Sequence, residues 1–180
     1  SSLVIVALEH LIGALIFLPL LFRSASKIKL LDKRGWISIF WISICGGLLG
    51  TYFYTKALGY VNYIDLSVVV LIQKLQPLFA ISLASIILKE KLSKRFIFLA
   101  SIAIIGGYLT TFGNKSFLFL DNKSIIASLL ALLASFCWGS STVLGKAALK
   151  QIPFELVTCI RLIVTGTVAL FIITSSGNFS

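Results

Sequence analysis

Six apolar stretches, each close to the length of a bilayer-crossing helix, follow one another along the sequence: Ser2 to Phe22, Trp36 to Gly59, Ile64 to Leu88, Phe96 to Phe112, Ile125 to Leu149 and Leu156 to Thr174. A helix needs about 20 mostly apolar residues to span the hydrocarbon layer, and a soluble helix this apolar would have no polar face to turn to water. The pattern predicts an all-α, polytopic transmembrane helix bundle of six spans. The fourth stretch, short and containing Gly106 and Gly107, is the weakest of them. Charged residues make up 12% of the chain, where soluble domains carry about 25%, so the lipid bilayer is the expected solvent. A net charge of +10 would suggest nucleic acid in a soluble protein. Here more than half of the basic residues fall in two short connections between spans, which reads as an orientation signal, and no nucleic-acid partner is expected.

The connection Arg23 to Gly35 carries Arg23, Lys27, Lys29, Lys33 and Arg34 against Asp32, and Lys89 to Arg95 carries four basic residues against Glu90. Both (23–35 and 89–95) are expected on the cytoplasmic side of a bacterial inner (plasma) membrane. The alternate connections carry little charge, so the first span runs from outside to inside. Tyr52, Tyr54, Tyr60, Tyr63 and Tyr108 then gather near the outer interface, with Trp36 at the inner one. Small residues at four-residue spacing, Gly46 with Gly50, Ala103 with Gly107, and Ala131 with Ser135 and Gly139, are expected to let neighbouring helices approach closely. Cys45, Cys137 and Cys159 lie far apart in apolar segments and form no disulfide framework. One histidine and scattered carboxylates offer no metal site, and no cofactor is expected. The chain has no Met, begins Ser1-Ser2 directly before an apolar run, and ends soon after another, which reads as a piece cut from a longer protein.

Val6-Ala7-Leu8-Glu9-His10-Leu11-Ile12 aligns with Val157-Thr158-Cys159-Ile160-Arg161-Leu162-Ile163, placing His10 against Arg161. The two segments lie in the first and sixth spans, an odd number of crossings apart. Equivalent helices would therefore run in opposite directions, the inverted-repeat plan of many secondary transporters. Two such repeats would need about 300 residues and roughly ten spans.

At a rise of about 1.5 Å per residue, Lys56, Asp65 and Lys146 fall near span ends, where long side chains reach the interface. Lys74 lies about 15 Å inside the third span, Glu9 and His10 about 11 to 12 Å inside the first, and Arg161 about 8 Å inside the sixth. A central Lys costs about 2.5 to 3.5 kcal/mol, but each Leu, Ile, Val or Phe returns about 0.3 to 0.6. The third span has fifteen of these, so it stands. On a helical wheel, Gln73, Gln76, Pro77, Ala80 and Ala84 share a protein-facing side edged by Ser67, Lys74 and Ser85, while Val68, Leu71, Ile72, Leu75, Phe79 and Leu83 cover a lipid-like side. Pro77 lacks an N–H and should free the carbonyl of Gln73 for a neighbour or a ligand. Lys74 either pairs with Glu9, at similar depth, or contacts an anionic or carbonyl-bearing solute. Glu9 and His10 form a helix–helix polar contact or a proton-coupling group, and Arg161 meets a carbonyl or a solute. Trp138 either packs or lines a cavity. The candidate solute-binding residues are Lys74, Gln73, Gln76, Tyr54, Trp138 and Ser141, and the candidate polar or coupling network is Glu9, His10 and Arg161.

Several stretches together resemble the EamA family of the drug/metabolite transporter superfamily. They are Tyr54-Thr55-Lys56-Ala57-Leu58-Gly59-Tyr60, Gln76-Pro77-Leu78-Phe79-Ala80, Leu88-Lys89-Glu90-Lys91-Leu92-Ser93, Ile104-Ile105-Gly106-Gly107-Tyr108-Leu109 and Cys137-Trp138-Gly139-Ser140-Ser141, then Pro153 with Arg161 eight residues on. The resemblance runs over nearly the whole chain. It implies ten helices in two inverted five-helix repeats, with residues 1–122 the end of the first repeat (four helices) and 123–180 the start of the second (two helices). His10 stands where that family commonly has Arg, so no role of that Arg passes to it. The resemblance implies export or import of small metabolites, amino acids or drugs, by alternating access between the two halves. The expected partner is a small-molecule solute, and homodimerisation is left open. A non-transporting scaffold or receptor is the alternative, although a pure scaffold has little use for Lys74 and its two glutamines. An intramembrane serine protease would need a Ser before its His, and His10 precedes nearly every serine, so an enzyme is not expected.

Overall fold

The computed structural model describes residues 2–88, 91–112 and 121–176, and every described element is helical. Lys89 and Glu90 of the second basic connection, and residues 113–120 of the one between the fourth and fifth spans, lie outside the described residues. The first span is α1, Ser2–Ser24, continued by a 3-10 segment over Ala25–Leu30 that takes up much of the expected basic loop. The second comprises α2 (Lys33–Trp41), a π-helical segment (Ile42–Leu49) and α3 (Gly50–Leu58). The third divides into α4 (Leu66–Gln73) and α5 (Gln76–Leu88). Then come α6 (Lys94–Phe112), α7 (Asn122–Leu144), the single turn α8 (Lys146–Leu149) and α9 (Phe154–Ser176). The fourth expected span is thus a helix, α6. Among the described residues five helices are long and apolar enough to cross a membrane, those of the first, second, third, fifth and sixth stretches.

The chain forms two compact units, one of Ser1–Tyr52 with Leu144–Ser180 and one of Phe53–Val143. Each takes residues from both sides of the expected repeat boundary near residue 122.

In the first unit α1 and α9 pack antiparallel. Leu11 sits on Gly166, where an added Cβ would come within 2.9 Å of its side chain, and Leu162 sits on Gly13, where the corresponding distance is 3.3 Å. Helices in lipid gain little from hydrophobic burial against each other and associate through close packing and hydrogen bonds. These two leucine-on-glycine contacts supply the packing. Val6 and Ala7 of α1, Leu48 of the π segment, and Ala169 and Ile173 of α9 extend the contact into one buried cluster. A second cluster joins Ile39 and Ile42 to Ala148, Ile152, Leu156 and Val157.

Thr165 of α9 meets the π segment where its helix widens. The Thr165 hydroxyl donates to the carbonyl of Ser43 at 2.9 Å, and its side chain lies against Gly47, four residues further on. In an α-helix the Ser43 carbonyl would accept from the N–H of residue 47. A hydroxyl that enters the ladder at this place accounts for the wider turns.

Asp32 fixes the start of α2. Its carboxylate accepts from the Gly35 N–H at 2.7 Å and from the Gln151 side-chain amide at 2.8 Å, while its own N–H donates to Gln151 Oε1 at 2.9 Å. The Gly35 N–H, followed by the Gln151 amide, holds this carboxyl below the usual carboxylate range. Gly35 lacks the Cβ that would collide with Gln151 and Leu31.

The second unit is built on α7. Ala131 of α7 packs with Ala57 of α3 and with Val68, Val69 and Ile72 of α4, and Phe136 meets Phe79 of α5 edge-on at 5.7 Å. Near the start of α7, Lys123 Nζ donates to the Tyr63 hydroxyl at 2.6 Å, Ser124 donates to the Tyr63 carbonyl at 2.6 Å, and Tyr60 and Tyr63 stack at a tilt, 6.4 Å apart. The wheel of the third span is corrected here. Val68 and Ile72, assigned to a lipid-like side, are buried in the core, while Lys74 and Pro77 are exposed. A wheel assumes an uninterrupted 100° step per residue, and the break between α4 and α5 removes that register.

Candidate functional site

The break in the third span follows from Pro77. With no N–H at Pro77, the carbonyl four residues earlier, that of Gln73, has no helical partner. The helix stops at Gln73, turns through Lys74 and Leu75, and restarts at Gln76, which puts Pro77 in a first turn, where its missing donor costs nothing. The Leu75 N–H returns to the Ile72 carbonyl at 3.1 Å, and the Leu78 N–H closes on Leu75 at 2.9 Å.

The orphaned Gln73 carbonyl is met from α7. The Ser135 hydroxyl lies 2.9 Å from the Ile72 carbonyl oxygen and 2.7 Å from that of Gln73, and its single proton is shared between them. An unsatisfied backbone acceptor in a membrane interior costs several kcal/mol, so Ser135 is what lets the break persist. The neighbour expected to take up the Gln73 carbonyl is therefore a serine one helix away. Gly139, one turn on, brings α7 against the first turn of α5: an added Cβ would lie 2.8 Å from Phe79 Cβ, 2.9 Å from the Gln76 carbonyl oxygen and 3.1 Å from the Ala80 nitrogen.

Ser135, Trp138, Gly139 and Thr142 recur at three- and four-residue steps and so share one face of α7. Along it lie the groups the interruption releases. The Gln73 side-chain amide donates to Gln76 Oε1 at 3.4 Å, and that of Gln76 donates to Thr142 Oγ1 at 3.5 Å. Both contacts are long, as of amides not yet committed to a partner. Thr142 directs its own proton to the Trp138 carbonyl at 2.9 Å, leaving its oxygen to accept. Tyr54 of α3 and Trp138 form a tilted aromatic pair at 5.4 Å. Lys74 closes α4 with its side chain exposed.

Of the candidate solute-binding residues, the second unit thus gathers Gln73, Lys74 and Gln76 at the break and joins Tyr54 to Trp138. Ser141 is turned elsewhere, its hydroxyl donating to the Cys137 carbonyl of its own helix at 2.8 Å. Ser135 and Thr142 were missed as functional positions. Their signal was present in the spacing from Trp138, three residues back and four on. Glu9, His10 and Arg161 all fall in the first unit, on the α1–α9 pair. His10 is buried, its Nδ1 2.9 Å from the Val6 carbonyl, and it lies within electrostatic reach of both Glu9 and Arg161. Glu9 and Lys74 belong to different units. Among the described residues no cluster of three or more metal-ligating side chains occurs.

A broken apolar helix with a lysine and two amides at its break is an arrangement of membrane transporters, and the sequence comparisons point the same way. The pattern of the EamA-like transporter family matches residues 1–112. The chain belongs to the EamA-like transporter family. With the five membrane-crossing helices, this family member is a multi-pass integral membrane protein. It is 40% identical over 178 residues to a protein of Fusobacterium nucleatum subsp. nucleatum named riboflavin transporter ImpX, a match covering 97% of this chain. The chain spans 59% of that relative's length. No solved structure matches it at a significant level.

Proposed function

We propose that the protein carries a small organic solute across a membrane by alternating access, and that the break at Lys74–Leu75 is where the solute is held. One observation carries this reading: the third span gives up its continuous helix at a lysine flanked by two glutamines, and a serine from α7 keeps it open. Lys74 supplies charge for an anionic or carbonyl oxygen, and the Gln73 and Gln76 amides supply paired donors and acceptors. Tyr54 and Trp138 offer aromatic faces to a flat or apolar portion of the solute. Ser141 contributes only if its hydroxyl leaves the Cys137 carbonyl. The name of the Fusobacterium relative makes riboflavin the first solute to test. The protein is not an enzyme in this reading. It resides in a bacterial inner membrane with residues 23–35 and 89–95 facing the cytoplasm, and residues 1–122 and 123–180 belong to successive inverted repeats.

The test is uptake of riboflavin and of a panel of metabolites by the intact protein in liposomes. Lys74→Ala should cut uptake about 10- to 100-fold, the loss of one charge-assisted hydrogen bond of about 1.5–3 kcal/mol, while thermal unfolding stays within a few degrees of the parent. Normal transport by Lys74→Ala removes the solute role of this residue. Recovery of a damaged single variant by exchanging the charges of Glu9 and Lys74 would instead assign Lys74 to an ion pair.

A further inference from the structure

We propose that His10 is the proton carrier of this transporter, taking up its proton at Nε2 within the α1–α9 helix pair. The inference rests on the transport reading above but concerns the other compact unit.

The backbone carbonyl of Val6 can only accept, so the 2.9 Å contact makes His10 Nδ1 the protonated nitrogen and leaves Nε2 with its lone pair. No hydrogen bond to Nε2 is found among the described residues. No fully enclosed side-chain nitrogen or oxygen there lacks a partner either, so Nε2 is unpaired without being fully enclosed, although the residue as a whole is 5% exposed. A fixed ring with one satisfied nitrogen and one open one is set up to bind and release a proton without reorienting. Protonation forms one new N–H bond at Nε2 with a proton drawn from water on one side of the membrane. Release to water on the other side restores the neutral ring, and the Nδ1–H bond to Val6 is kept throughout.

The surrounding charges make that step consequential. Glu9 precedes His10 on α1, and Arg161 approaches from α9. The remaining ionisable groups of these helices are Arg23 on α1 and Glu155 and Cys159 on α9, and the π segment packed against them adds only Cys45. With a neutral ring the Glu9 carboxylate and the Arg161 guanidinium balance. A protonated ring leaves one positive charge in excess, in an apolar pair of helices that resists it. Two conformations that expose this site unequally will differ in their proton affinity, which is the free-energy difference that coupling requires. Imidazole is the side chain whose ordinary titration lies between pH 5 and 8, and His10 is the single histidine of the chain.

The experiment uses the intact protein in liposomes with radiolabelled riboflavin as probe, read in two ways. Counterflow at equal pH on both sides measures solute exchange, and accumulation under an imposed pH gradient measures coupling. The parent protein should accumulate the probe several-fold above its ungraded level, and a protonophore should abolish the excess. His10→Asn places an amide nitrogen where Nδ1 was and cannot titrate. It should keep counterflow within about threefold and lose the gradient-driven excess. His10→Gln provides the same comparison should the first variant fold poorly. Counterflow in the parent without gradient-driven accumulation overturns the proton inference alone, as does full accumulation by either variant. Absence of counterflow in the parent overturns the transport reading and this inference with it.

Discussion

In each of the two compact units a helix loses its regular hydrogen bonding at a place that a hydroxyl from a neighbouring helix holds. In the first unit Thr165 donates to the Ser43 carbonyl across a π-helical stretch; in the second Ser135 donates to the Ile72 and Gln73 carbonyls across a break. The residues at the two places differ. Ile42–Leu49 has Gly46 and Gly47 in its middle and one polar side chain, Ser43, whose hydroxyl donates to the Ile39 carbonyl, so widening the helix there makes room for a neighbour and presents no amide or charge. Gln73 to Gln76 carries two amides and an ammonium, so breaking the helix there presents polar groups that lipid would not otherwise tolerate. The same means of satisfying a carbonyl thus serves helix packing in one unit and the polar break, our proposed solute site, in the other.

The strongest test of this pairing is substitution of the glycine beside each hydroxyl. Gly139→Ala would press a Cβ onto the α5 backbone at Gln76 and Ala80. It should destabilise the protein by about 3 kcal/mol, with no single side-chain reduction able to relieve it. Gly47→Ala collides instead with the Thr165 side chain. It should cost about 1–3 kcal/mol, and adding Thr165→Ala should recover most of that in chemical or thermal unfolding. Failure of the second substitution to rescue would show that Thr165 is not what fills the π segment.

Removing the hydroxyls alone should have smaller effects. Ser135→Ala leaves the Gln73 carbonyl at the break unpaired and should cost about 1–2 kcal/mol. Thr165→Val, which keeps the shape, should cost about 0.5–1, in line with hydrogen bonds measured between membrane helices. An equal loss in both variants would remove the distinction between a break and a widened turn. The smallest effect belongs to the Asp32 clasp. Its carboxyl is held below the usual range by Gly35 and Gln151, so its contribution is full above the ordinary Asp value of about 3.9 and fades as pH falls through the lower folded value. Melting curves from pH 6 down to 2 should show a loss in that acid window which Asp32→Ala no longer shows.

Much of this was legible in the sequence, and the rest was hidden for identifiable reasons. Runs of apolar residues delivered the helices of five spans, since length and hydropathy depend on no partner. Pro77 announced the freed carbonyl of Gln73, a rule local to the chain. The donor was not legible: Ser135 read as one more small residue at a four-residue step, because a hydroxyl's partner is decided by a helix 62 residues away. The π segment contains no proline and gave no warning, for its cause is Thr165, on another helix. Gly13 and Gly166 were missed because each has no small residue four positions away and meets a leucine instead. The Glu9, His10 and Arg161 set was found through the depth of these residues in their spans, and the packing of α1 on α9 brings its members within reach of one another. Which groups line the break followed from the wheel only in part: the register changes at Lys74, and the faces of α4 could not be extended into α5.

The bond from Thr165 to Ser43 spans 122 residues of sequence, and this sets an order of events during synthesis. At roughly 5–20 residues per second, the ribosome takes about 6 to 24 s to make the chain between them. Throughout that interval the second helix has only its own backbone for the Ser43 carbonyl. The hydroxyl that braces its wider turns reaches it only when the sixth helix has been made.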